Sequence, residues 1–148
     1  MFNDAIKMTG NLKLVLTDEH GNVKQEEEIK NLVVTVGKNF IASRMKDATA
    51  TAMTHMEVGT GTTAAAVGDT TLQTAVASSR VTLTSTTVTT NNVAYVATFP
   101  AGTGTGALTE AGLFNASSAG TMLCRTVFSV INKGAADTLG ITWTVTVN

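Results

Sequence analysis

Charge is what this chain has least of. Lys, Arg, Asp and Glu make up 14% of its 148 residues, against about a quarter in an ordinary soluble domain. Ten basic and eleven acidic groups leave a formal net charge of −1, so there is no basic stripe to follow a phosphate backbone or an anionic membrane. Neither nucleic acid nor membrane is expected as a partner. The shortage is uneven. Seven Lys/Arg and seven Asp/Glu precede residue 51, and beyond it only Arg80, Arg125 and Lys133 stand against Glu57, Asp69, Glu110 and Asp137.

Cysteine is nearly absent too. Cys124 is alone and has no partner for an internal disulfide. Its neighbours, Met122-Leu123-Cys124-Arg125-Thr126-Val127-Phe128, read as a strand, which makes it a small buried hydrophobe rather than a nucleophile. No apolar run exceeds a few residues, which excludes a helical membrane span. The start, Met1-Phe2-Asn3-Asp4-Ala5-Ile6-Lys7-Met8, lacks the basic opening and apolar stretch of a signal peptide, so synthesis and retention in the cytoplasm of the producing cell are expected.

Catalytic patterns are missing as well. His20 falls in a turn and His55 at the start of a strand, and no Asp-x-His, His-x-x-x-His or Cys-x-x-Cys spacing lies near either to build a metal shell. Glu26-Glu27-Glu28 alternates faces on a strand and cannot converge on one substrate atom; it reads as a solvated edge that discourages stray strand pairing. Gly59-Thr60-Gly61 and Gly102-Thr103-Gly104-Thr105-Gly106 lack the Gly-Lys-Ser/Thr ending of a P-loop and the strand–glycine–helix setting of a dinucleotide site. They read as flexible loops or contact surfaces. The expectation is a protein without catalytic residues, metal or cofactor.

Threonine is what the chain has in abundance, with 28 residues, many in runs such as Thr82-Leu83-Thr84-Ser85-Thr86-Thr87 and Thr142-Trp143-Thr144-Val145-Thr146. A β-branched side chain with one hydroxyl suits the solvated or half-buried face of a pleated sheet. Strands are predicted over 11–17 and 23–30, joined through the turn cluster Asp18-Glu19-His20-Gly21-Asn22. More follow from His55 and over 79–88, 93–99, 108–115, 121–130 and 138–147. Val93, Tyr95, Ala97 and Phe99 share one face, as do Leu139, Ile141, Trp143, Val145 and Val147. Residues 35–46 read as one short helix with Thr35 as N-cap and Val36, Phe40, Ile41 and Met45 near one face. Residues 59–69 read as a long loop, followed by one helical turn over 70–74. About eight antiparallel strands with one short inserted helix predict a mainly β, jelly-roll-like sandwich, with a partly closed barrel as the second choice. Residues 1–9 form an N-terminal arm and 10–148 a single domain of a size that supports one core.

Several segments resemble a group of small tailed-bacteriophage virion proteins. These are Met56-Glu57-Val58-Gly59-Thr60-Gly61-Thr62-Thr63, Asp69-Thr70-Thr71-Leu72, Tyr95-Val96-Ala97-Thr98-Phe99-Pro100-Ala101-Gly102, Leu108-Thr109-Glu110-Ala111-Gly112-Leu113-Phe114-Asn115, Met122 to Phe128, and Ile131-Asn132-Lys133-Gly134 through Leu139 to Val145. The likeness covers roughly residues 31–148. It implies a virion structural protein, either a capsid decoration (cement) protein or a tail-fibre-like protein contributing to host attachment. One compact domain without a fibrous shaft favours decoration: a homodimer or homotrimer on the outer surface of the capsid, bound to the phage major capsid protein. The expected interface comprises Phe2, Ile6 and Met8 as apolar anchors on the arm, with Thr60, Thr62, Thr103 and Thr105 in the two Gly-Thr loops.

Overall fold

The alternating segments form strands where a pleated backbone sends every second side chain to one side. The computed structural model describes residues 5–46 and 50–148. Among them the elements run β1 (Met8–Thr17), β2 (Val23–Val33), α1 (Thr35–Met45), β3 (His55–Gly59), β4 (Val81–Thr82), β5 (Ser85–Thr89), β6 (Asn92–Phe99), β7 (Gly106–Phe114), β8 (Met122–Lys133) and β9 (Thr138–Val147). The fold is mainly β and antiparallel with one helix, as the sequence predicts. Nine strands replace the expected eight because segment 79–88 breaks at Leu83 and Thr84 into β4 and β5.

The first hairpin is set by its turn. Asp18 Oδ1 accepts the backbone N–H groups of His20 and Asn22, each at 2.9 Å, and Gly21 takes φ +82°, the left-handed conformation that glycine adopts without steric cost. The Asn22 N–H is the main reason the Asp18 carboxyl lies below its usual pKa. Strand β9 then pairs along the whole of β1, from Met8↔Val147 to Thr17↔Thr138. Met8 and Thr9, expected in the N-terminal arm, are therefore strand residues.

One antiparallel sheet results, in the order β4-β3-β7-β8-β2-β1-β9-β6-β5. It curls into two layers. Strands β2, β1, β9, β6 and β5 form one, and β8, β7, β3 and β4 the other, with β2 and β8 paired only at Leu32↔Arg125 and Val33↔Cys124. The two ends of the strand order are neighbours in the chain. Between β4 and β5, Leu83 N–H reaches Thr54 O at 2.8 Å and Thr84 N–H reaches Val96 O at 2.7 Å, so the chain crosses from one layer to the other where a single strand was expected. The acidic stretch of β2 lies beyond its short pairing with β8. Glu26 and Glu28 are exposed there, which gives the expected solvated margin.

The core lies between the layers. Leu12, Leu14, Phe99, Ile141 and Trp143 from one side meet Val58, Leu108, Leu113, Cys124 and Ile131 from the other, all with no exposed surface. Tyr95 and Trp143 are register partners, so both large aromatics are committed to packing. Burial raises the Tyr95 hydroxyl to about 12, and it raises the Cys124 thiol well above its ordinary value.

Helix α1 covers the outside of β8. Its N-cap position is Val34, without a side-chain cap bond, and not Thr35 as expected; the Thr35 N–H instead reaches Val67 O at 2.7 Å. Met45 is 78% exposed, so the apolar face is narrower than the sequence suggests. Contact is set by Gly37, where a Cβ would stand 2.0 Å from the Leu123 carbonyl oxygen. Gly37→Ala should cost about 1–3 kcal/mol by forcing the helix off the strand, measured by denaturant unfolding. Gly68→Ala, where a Cβ meets nothing within 4 Å, should stay within about 0.5 kcal/mol of the parent.

Candidate interaction surface

Strand β7 is buried on both faces from Leu108 to Phe114. Leu108, Ala111 and Leu113 point into the core, and Glu110 points outward beneath residues 60–74. That segment has no helix or strand to occupy its own backbone groups, so its N–H groups need acceptors. Glu110 supplies them. Its Oε1 accepts from Gly61 N (3.0 Å) and Thr74 N (2.7 Å), and its Oε2 accepts from Gln73 N (3.0 Å) and Arg125 Nε (2.9 Å). Arg125 Nη2 also lies 2.8 Å from Oε2. The side chains of Glu110 and Arg125 are 0% and 2% exposed.

Arg125 stands on the neighbouring strand, paired with Gly112, and extends the clasp. Its Nη1 meets Asp69 Oδ2 at 2.8 Å and its Nη2 meets Thr63 O at 3.0 Å. Burial alone would raise the Glu110 pKa, but the N–H groups of Thr74 and Gln73 and the Arg125 guanidinium together hold it below the ordinary carboxylate value. Asp69 is lowered chiefly by the Ala66 N–H; burial opposes this, and the Arg125 guanidinium adds to the lowering. With its lone pairs occupied by five donor contacts, the Glu110 carboxylate serves to hold the loop.

The clasp revises two expectations. No helical turn forms over 70–74, because the N–H groups of Gln73 and Thr74 are used on Glu110 and do not close a local ring. Gly59-Thr60-Gly61, read as a flexible loop or contact surface, starts at the end of β3 and is tied to Glu110 through the Gly61 N–H. A Cβ on Gly59 or Gly61 would stand 2.6 or 2.5 Å from Glu110 Oε1, so the glycines let the backbone approach the carboxylate.

Two further ties use the remaining charges. Arg80 pairs with Glu57 at 2.8 Å, both 13% exposed, and its guanidinium stacks 3.7 Å over the Phe114 ring. Lys133, 2% exposed, donates to Pro100 O at 2.9 Å and Asp137 O at 2.7 Å. The Asp137 carboxylate in turn pairs with Lys24 at 2.7 Å, the main cause of its lowered pKa. Every Lys, Arg, Asp and Glu beyond residue 50 is thus engaged in an internal tie. The surface those residues present is essentially uncharged: Ser85–Thr89 of β5 is wholly exposed, and Thr142, Thr144 and Thr146 line the outside of β9, half-buried.

Phe2 lies outside the described residues. Ile6 is 72% exposed, whereas Met8 is half-buried and packs against the core. The two line an open groove with Leu32, Val33, Lys38 and Ile41. Thr60 and Thr62 are exposed on the clasped loop, Thr105 is exposed and Thr103 half-buried, and Gly104 between them lies against Val58. His20 is exposed, and half-buried His55 bonds Thr54 through Nδ1 at 2.8 Å. Among the described residues no three His, Cys, Asp or Glu cluster as metal ligands, and no helix is long and apolar enough to cross a membrane.

Comparison with protein-family models, curated proteins and solved structures finds no match to this chain.

Glu110→Ala strands a buried guanidinium and should cost about 3–5 kcal/mol. Because the folded Glu110 and Asp69 are depressed, their contribution is complete near neutral pH, above their unfolded values. It is lost as the pH falls through their folded ones. The parent should therefore weaken on acidification below the ordinary carboxylate range, and Glu110→Gln should start lower at pH 7 and show a shallower fall. Chemical denaturation from pH 7 to pH 3 measures both.

Proposed function

We propose that this protein is a structural component of a tailed-phage particle, a decoration protein that binds the outside of the head and stabilises capsomer contacts, with further copies of itself and the major capsid protein as partners. The observation that carries the reading is the disposition of charge. All seven charged residues of the last two-thirds are spent on internal ties, and an almost uncharged, threonine-rich exterior is left. Covering such a surface with another protein desolvates few ions, and taking ions out of water is costly. The resemblance of residues 31–148 to virion proteins points the same way.

The mechanism is additive. Buried apolar area contributes about 25 cal/mol per Å² before ordering costs, and a particle repeats each modest contact over many equivalent positions. The clasped loop and the tied β8–β9 turn present surfaces already ordered, which reduces the entropy lost on docking.

Adding the purified protein to heads that lack it should give saturable, stoichiometric binding and raise their melting temperature. At a free concentration of about a hundred times Kd, each site should gain about 2.7 kcal/mol. Heads that bind none of it, or that melt no later with it bound, would refute cementing. An image of labelled particles with the signal at the tail would replace the head assignment with the tail-associated one.

A further inference from the structure

Strand edges need covering, and the two ends of this sheet are covered unequally. At one end β4 has only two residues, Val81 and Thr82, too short to template another strand. At the other end β5 runs Ser85-Thr86-Thr87-Val88-Thr89, exposed throughout, with Val88 70% exposed. Among the described residues it pairs with β6 alone. An exposed edge in a monomer is ordinarily blunted by charge, proline or a bulge. This edge has none of them: its pairing with β6 runs in unbroken register from Ser85↔Val96 to Thr89↔Asn92, and no charged residue occurs anywhere between Arg80 and Glu110.

We propose that β5 pairs edge to edge and antiparallel with β5 of a second copy, joining two sandwiches into one continuous sheet. This deepens the reading that the chain acts by packing against copies of itself, and rests on it in naming the occupant. The strand is self-complementary about Thr87. With Thr87 opposite Thr87 of the other copy, all five residues find partners. Ser85 then faces Thr89 and keeps hydroxyls against hydroxyls on one side of the sheet, and Thr86 faces Val88 and keeps β-branched side chains together on the other. Neutrality of the whole 81–109 segment removes the like-charge repulsion that two identical edges otherwise meet. Paired over about 17 Å, the contact falls short of the roughly 1,200 Å² of a stable free dimer. It is therefore weak in dilute solution and is strengthened when copies are held side by side.

The register provides the test. Residue 87 meets itself across the two-fold at a Cα separation of about 4.5–5.5 Å, within disulfide reach, and the native Cys124 is fully buried and does not compete. In concentrated full-length protein under mild oxidation, Thr87→Cys should form a covalent dimer and Ser85→Cys should not; the double variant Ser85→Cys, Thr89→Cys should regain it. Sedimentation should show self-association of the parent with rising concentration, abolished by Thr87→Lys and kept by Thr98→Lys on the neighbouring strand. Equal crosslinking at 85 and 87, none at 87, or undiminished association of Thr87→Lys overturns the proposal. Loss of head binding by Thr87→Lys without crosslinking of Thr87→Cys assigns the edge to a different protein and also overturns it. Head binding by the parent is scored separately: pairing without head binding defeats the decoration reading alone, and head binding without pairing defeats this inference alone.

Discussion

A single carboxylate organises the outer layer of this molecule. Glu110 accepts three backbone N–H groups from a segment without regular structure and pairs with Arg125 on the next strand. Ordering a segment of that length costs on the order of 1–2 kcal/mol per residue, and its amides would be left unsatisfied against the sheet. A carboxylate can take several donors at once in charge-assisted bonds. Arg125 neutralises it, and Asp69 and Thr63 satisfy the guanidinium in turn. The result is a strand buried on both faces and a loop whose amides are satisfied by a side chain instead of a neighbouring strand.

The same economy governs the other charges. Arg80 and Glu57 fix the surroundings of Phe114, and Lys133, Asp137 and Lys24 fix the β8–β9 turn against the first hairpin. Beyond residue 50, charge sits where loops must be tied down and is absent from β5, β6 and β9, whose outward faces carry hydroxyls, amides and small apolar groups. An exterior of that kind can be covered by another protein with little desolvation of ions, and the free edge of β5, unlike that of β2, carries no charge.

Where structure follows from neighbours along the chain, the sequence reads correctly. The span 138–147 is β9 to the residue, its inward face is the predicted one apart from exposed Val147, and the Asp18–Asn22 turn and buried Cys124 are as expected. It reads less well where a distant group decides. The segment 79–88 carries a continuous strand pattern, yet it breaks at Leu83 and Thr84 because Thr54 and Val96 draw those N–H groups to different layers. Segment 70–74 has the composition of a helical turn, but its N–H groups go to a carboxylate about 36 residues away. No sequence pattern marks Glu110 as the acceptor for a distant loop. Its one signal was a lone acid inside an otherwise apolar run, a pattern that calls for a buried partner.

The sequence by itself determined that this chain is a threonine-rich antiparallel β-protein with one helix and little charge. It also determined which side of most strands faces the core. These follow from β-branching and from the two-residue period of a pleated backbone, which are local properties. Only the tertiary structure decided which strands neighbour which, that the sheet curls until its two ends meet through β4 and β5, and that the few charges beyond residue 50 are engaged in internal ties. Those outcomes rest on hydrogen bonds and ion pairs between groups far apart in the chain, and no local pattern encodes which distant acceptor a backbone amide will find.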